Sequence, residues 1–151
     1  MKLEKLAAIA EIVSSVAIVM TLGYLAIQTQ QNAAAIRATI RQGMLSEETQ
    51  LLLSQLPYPF INSTTLDERE LTPDQRIQVR TWTTAFLRVR ENHWLQFQAG
   101  VIDEATWRAY RLPIRIVLGT RVGQEEWEFR KDRGEFAQGF VDDVNGFLAS
   151  E

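Results

Sequence analysis

Hydrophobic residues are unevenly distributed along this chain. Residues 6–27, LAAIAEIVSSVAIVMTLGYLAI, form an apolar run interrupted by one charge, Glu11. As a helix rising about 1.5 Å per residue this run is about 33 Å long, slightly more than the hydrocarbon core of a bilayer. The pattern then changes. QTQQNAAAIRATIRQGMLSEETQLLLSQL follows with no proline until Pro57, and Ile36, Ile40, Met44 and Leu51 recur at helical spacing. This predicts that the first helix continues as a stalk over residues 28–56, with Gly43 as the place for a bend. Helix from residue 3 to 56 would measure about 80 Å.

LPYPFINSTT, at 56–65, carries two prolines and a polar cluster, so residues 57–65 are predicted to be a loop. Thr72-Pro73 reads as an N-cap followed by a first helical residue. Ile77, Trp82, Phe86 and Val89 make an apolar stripe that Trp94 and Phe97 continue. Gly100 stands where a C-terminal cap belongs. Asp103 can cap a next helix bearing Trp107, Tyr110, Ile114 and Leu118, which Pro113 should bend or divide. Gly119 and Gly123 bracket a turn. Short helices around Glu125–Arg130 and Phe136–Leu148 complete the chain. Strict two-residue alternation is scarce, which argues against a sheet. The prediction is an all-α protein: a flank (1–5), a transmembrane helix (6–27), the stalk, the loop, and a water-facing helical bundle over residues 66–151, folded around Trp82, Phe86, Trp107 and Trp127.

Charge limits the partners. The chain has 16 basic and 19 acidic side chains, a net charge of −3. Beyond residue 27 the basic residues are Arg except for Lys131. Such a balance is wrong for neutralising nucleic acid and suits arginine–carboxylate networks. Cysteine is absent, which excludes disulfides, thiol catalysis and thiolate metal sites. Lys2 and Lys5 precede the apolar run, as they would in a signal peptide. The run is longer than a signal core, however, and no clear small-residue cleavage site follows it. An uncleaved anchor is therefore expected; a buried core helix is the soluble alternative. The positive-inside rule favours a cytoplasmic N-terminus, because the next cations are Arg37 and Arg41.

Candidate chemistry begins with Glu11. A carboxylate inside the apolar boundary is costly to leave facing lipid. Glu4, Ala8, Glu11 and Ser15 share one helix face, with Ser14 beside it. This small and polar strip suits contact between helices. Three readings are open: a self-association interface, a shallow Glu snorkelling to headgroups, or the lining of an ion path. Arg108, Arg111 and Arg115 share one flank of their helix and could rest on anionic headgroups. The commoner case is a core helix whose arginines pair with the acidic segment after residue 121. His93 is the only histidine, and Glu91, two residues away, lies on a different face, so neither a metal site nor a catalytic pair is legible. Glu125, Glu126 and Glu128 read as a solvated helix N-terminus. The four tryptophans read as core rather than as a ligand cage. Asn62-Ser63-Thr64 fits a glycosylation sequon, relevant only where a secretory pathway glycosylates. No cofactor is implied.

The exit YLAIQTQQNAAAIRA, with Glu11 before it, and the later block RENHWLQFQAGVIDEATW, with Trp127 and the terminal phenylalanines, resemble a group of small, uncharacterised bacterial proteins with one N-terminal transmembrane helix. The resemblance implies an anchor with a helical domain at a bacterial inner membrane, and no biochemical activity. The functional expectation is a non-enzymatic, single-pass membrane protein. It would work by homo-oligomeric helix assembly, with membrane lipid around it and a membrane or peripheral protein as partner or target of regulation. A homo-oligomeric pore lined by the polar strip is the alternative, and an enzyme on a membrane tether the third reading.

Overall fold

A computed structural model describes residues 2–58, 61 and 71–150, the side chains of Lys2 and Glu4 excepted. Among these residues the regular structure is entirely helical: α1 (Lys2–Leu53), α2 (Pro73–Gln98), α3 (Glu104–Leu118), α4 (Arg121–Asp132) and α5 (Gln138–Leu148). The all-α class and the long N-terminal helix are as predicted. The chain divides into two compact units, Met1–Ile40 and Arg41–Glu151. The boundary falls inside α1, so the end of the expected stalk packs within the second unit.

In the first unit every described side chain from Leu3 to Ile27 is exposed, with no apolar face turned inward. This helix is long and apolar enough to cross a membrane. Three of its hydroxyls are satisfied locally: Ser15, Thr21 and Thr29 each donate to the carbonyl four residues back, at 2.8 Å.

The second unit is built from capped helices. Thr72 and Gln75 form a reciprocal capping box at the start of α2. Asp103 accepts from the Thr106 N–H at 2.8 Å and begins α3. At the end of α2, Gly100 takes φ +68°; its N–H bonds to the Phe97 carbonyl, and that of Val101 to the Gln96 carbonyl. The left-handed residue closes the helix, as the Gly100 position predicted. Pro113 lies inside α3 without dividing it. Gly123 is required by space: a Cβ there would lie 1.9 Å from the Val117 carbonyl oxygen, so the first turn of α4 sits directly on the last turn of α3.

The core joins Phe86 and Leu87 of α2, Trp107 and Ile114 of α3, Trp127 of α4, and Phe136, Phe140 and Val144 near and on α5. Trp127, Phe136 and Phe140 pack ring on ring, with centroids 5.2–5.9 Å apart. Met44, Leu51 and Gln55 are buried from the other end of the unit's sequence. Trp82 and Trp94 are half-buried. The stripe drawn on α2 needs correction. Ile77 is 63% exposed, and the buried positions are Val79, Thr83, Phe86, Leu87, Arg90, Glu91 and His93. A helical period runs through 79, 83, 86, 90 and 93, and it includes a cation and an imidazole.

Candidate functional site

Two places bring chemistry-bearing groups to notice: the polar strip on the N-terminal part of α1, and the charged interior of the second unit.

On the strip, Ala8, Glu11, Ser14 and Ser15 are exposed. The side chain of Glu4 lies outside the described residues. The Ser15 hydroxyl donates to the Glu11 carbonyl, so its proton is already committed to its own helix. The Glu11 carboxylate and the Ser14 hydroxyl have no hydrogen-bond partner among the described residues. An α-helix satisfies its own backbone, but it cannot supply a donor to an isolated carboxylate on its surface.

The interior of the second unit was read differently from the sequence. Arg90, 2% exposed, makes two parallel bonds to Glu48 of α1, each 2.7 Å. Its guanidinium also lies 4.6 Å from the Phe86 ring centroid and 5.8 Å from that of Tyr110. His93 is 0% exposed, with its ring 4.2 Å from that of Tyr110 and Nδ1 3.3 Å from Arg90 Nη1. Arginine only donates, so Nδ1 must accept, and the imidazole is neutral with its proton on Nε2. Burial pushes its pKa down to about 4; the neighbouring Arg90 charge adds to this, and Glu48 opposes it. Burial would raise the Glu48 carboxyl, but Arg90's hydrogen bonds and charge hold it below its ordinary value.

A second network surrounds Glu126, which is 1% exposed and was expected in solvent. It accepts from Arg80 Nε at 2.7 Å and Arg130 Nε at 2.6 Å, and the Thr84 hydroxyl lies 3.0 Å away. Burial raises its pKa, yet the bonds from Arg80, Arg130 and Thr84 outweigh this, and the carboxyl stays below its ordinary value. Glu125 and Glu128 are exposed, as expected. Glu91 accepts the Ala137 N–H at 2.6 Å, supplying from α2 the cap that Ala137 cannot provide for α5.

The three arginines of α3 divide. Arg108 pairs with exposed Glu104 on its own helix. Arg111 faces Asp143 at 3.4 Å, and Arg115 donates to the Phe147 carbonyl at 2.9 Å. Both guanidiniums lie about 4.3–4.4 Å from the Phe147 ring centroid. Arg111 and Arg115 thus have partners on α5, in the acidic segment. Among the described residues no cluster of His, Asp and Glu could hold a metal ion. The Asn62-Ser63-Thr64 sequon lies outside the described residues. Sequence reasoning missed Arg90 and Glu126 as buried ions and half-buried Glu48 as the partner of Arg90. A signal existed for Arg90: together with His93 it occupies core positions of the α2 period.

No family model, no curated protein and no solved structure matches the chain.

Proposed function

We propose that this chain is a single-pass membrane protein that works without catalysis, by assembly of its N-terminal helices, while the helical domain binds or regulates a protein partner. The supporting observation is that the apolar run of residues 6–27, broken only by Glu11, is exposed around the whole helix, whereas a few dozen residues on the chain buries its apolar groups normally. A helix apolar on all sides needs a nonaqueous solvent. The motif resemblance to small anchored bacterial proteins supports an inner-membrane location, and Lys2 and Lys5 support a cytoplasmic N-terminus. The non-catalytic reading draws on His93, the most natural general base, which is sealed in the core with Nδ1 occupied by Arg90.

Glu11 is the residue through which assembly would act. Ser14 of a neighbouring copy is the donor at nearly its depth, since the Ser15 proton is taken. Interhelical bonds of this kind contribute about 0.6 kcal/mol each, so several must act together around a ring. The test is native mass spectrometry of the full chain released from membranes. Glu11→Gln keeps hydrogen bonding and should preserve the oligomer; Glu11→Leu should weaken it. An unchanged oligomer in Glu11→Leu removes the assembly role, and release of the chain by carbonate extraction removes the anchor. The unpartnered Glu11 carboxylate also favours the second reading, a pore lined by the strip. In that case Glu11→Gln lowers cation preference in planar-bilayer recordings.

A further inference from the structure

We propose that the cleft between α2 and α4 binds a small oxyanion of the phosphate class, held by Arg80 and Arg130. The cleft has a volume of about 260 Å³ and is lined by Ile77, Arg80, Thr81, Glu126 and Arg130. Its floor is the buried Glu126 carboxylate. Arg80 Nε binds one of that group's oxygens, and Arg130 Nε binds the other, with Thr84 beside it. The carboxylate is thus bound by both guanidiniums through Nε, and the guanidiniums still have donors to spare. Arg130 Nη1 bonds to Glu135 at 2.6 Å, while Arg130 Nη2 and both terminal nitrogens of Arg80 have no hydrogen-bond partner among the described residues.

The cleft therefore offers donors in excess of acceptors, while its two cations are matched in charge by Glu126 and Glu135. A ligand for it is an acceptor that takes several hydrogen bonds at once. Phosphate does so, with several oxygens to span two planar donor groups, and guanidinium donors bind an anion more strongly than a neutral acceptor. Glu126 also fixes the two side chains before any ligand arrives. Arg80 is further steadied against the Phe129 ring, 5.7 Å from its centroid. Arranging two long flexible cations in advance removes an entropic cost of binding. The sealed carboxylate is then a positioning residue for the site, not a ligand-binding one.

Free phosphate and a phospholipid headgroup present the same chemistry. The experiment uses the full chain in maltoside micelles, which carry no phosphate, with ¹⁵N-labelled arginine. Inorganic phosphate replaces chloride at constant ionic strength, and the Nε–H resonances are followed. Those of Arg80 and Arg130 should shift saturably, while that of Arg108, exposed on α3 and paired with Glu104, should not. Arg80→Gln should weaken binding by about tenfold or more, the loss expected for a charge-assisted contact. Arg108→Gln should leave it unchanged, and Arg80→Lys should fall between. Arg80 is a partly exposed side chain, and a thermal melt of each variant checks that the fold is retained. A parallel sample in nanodiscs containing phosphatidic acid, without added phosphate, identifies the source. Shifts there assign a headgroup, and shifts with inorganic phosphate alone assign a free anion. Linear shifts shared by Arg108, equal affinity in Arg80→Gln and Arg108→Gln, or no shift in either sample overturns the proposal.

Discussion

The two units of this protein place hydrophobic and charged groups in opposite ways. In the first unit the described apolar side chains from Leu3 to Ile27 are all exposed, and the carboxylate within that run, Glu11, has no partner among the described residues. In Arg41–Glu151 the apolar groups are inside, and three charged side chains are nearly sealed with them: Arg90, Glu91 and Glu126. Each of those has its counter-charge or donor within hydrogen-bond distance. The comparison shows what burial of a charge requires. A domain interior can assemble partners from several helices around one carboxylate. A lone helix has no second element from which to draw them.

The largest effect that would break this contrast is in packing. Trp107→Ala should lower the stability of the domain by about 3–5 kcal/mol, because the indole is 1% exposed. The corresponding truncation in the first unit, Ile12→Ala, should change it by less than about 0.5 kcal/mol. Denaturant unfolding of the full chain in detergent, followed by tryptophan fluorescence, measures both. Equal losses would mean that the first unit is packed as a core and would remove the distinction.

The pair of buried Arg90 and half-buried Glu48 tests the charged interior. Glu48→Ala leaves Arg90 enclosed without its counter-charge and should cost about 3–5 kcal/mol. Glu104→Ala, which removes the exposed partner of Arg108, should cost at most about 0.5 kcal/mol. The same unfolding experiment decides, and similar costs would show that the interior charges are as well solvated as those on the surface.

Acid sharpens the comparison further. The folded chain holds His93 at about 4, below its ordinary value of 6.5. Between these values the unfolded chain takes up a proton that the folded one refuses. The contribution is therefore fully present above pH 6.5 and is lost as pH falls towards 4, up to about 3 kcal/mol. The lowered carboxyls of Glu48 and Glu126 act in the same direction at still lower pH, through the usual carboxylate range. Unfolding midpoints from pH 7.5 to pH 4 should fall in the parent chain and flatten in His93→Gln. A parent chain that is flat over this window would refute the sealed imidazole.

Gly123→Ala should cost about 1–3 kcal/mol, through the clash with the Val117 carbonyl. Gly23→Ala in the first unit has open space around it and should be neutral or slightly stabilising. Thermal melts of the two variants provide the check.

Much of the helical framework was legible because its signals are local. The apolar run of residues 6–27, the Thr72-Pro73 start, the Asp103 cap and the Gly100 stop each depend on residues within one or two turns, and each appears as read. The class of Trp107 and Trp127 as core was legible for the same reason. The face of α2 was not. Ile77 looks like core and is exposed, while Arg90 looks like surface and is enclosed. Hydropathy ranks a side chain by its own transfer cost, and Arg90 escapes that cost only because Glu48, far away in sequence, meets it.

The sequence by itself determined the helical class, the caps, and the presence of one segment long and apolar enough to cross a membrane. These follow from backbone geometry and transfer energies that act within a single element. Only the tertiary structure decided that Glu126 is enclosed rather than solvated, that Arg111 and Arg115 meet α5, that Glu91 caps Ala137, and that His93 is neutral. The reason is common to all of them. The free energy of a charge depends on what lies within a few ångströms, and those neighbours come from other helices.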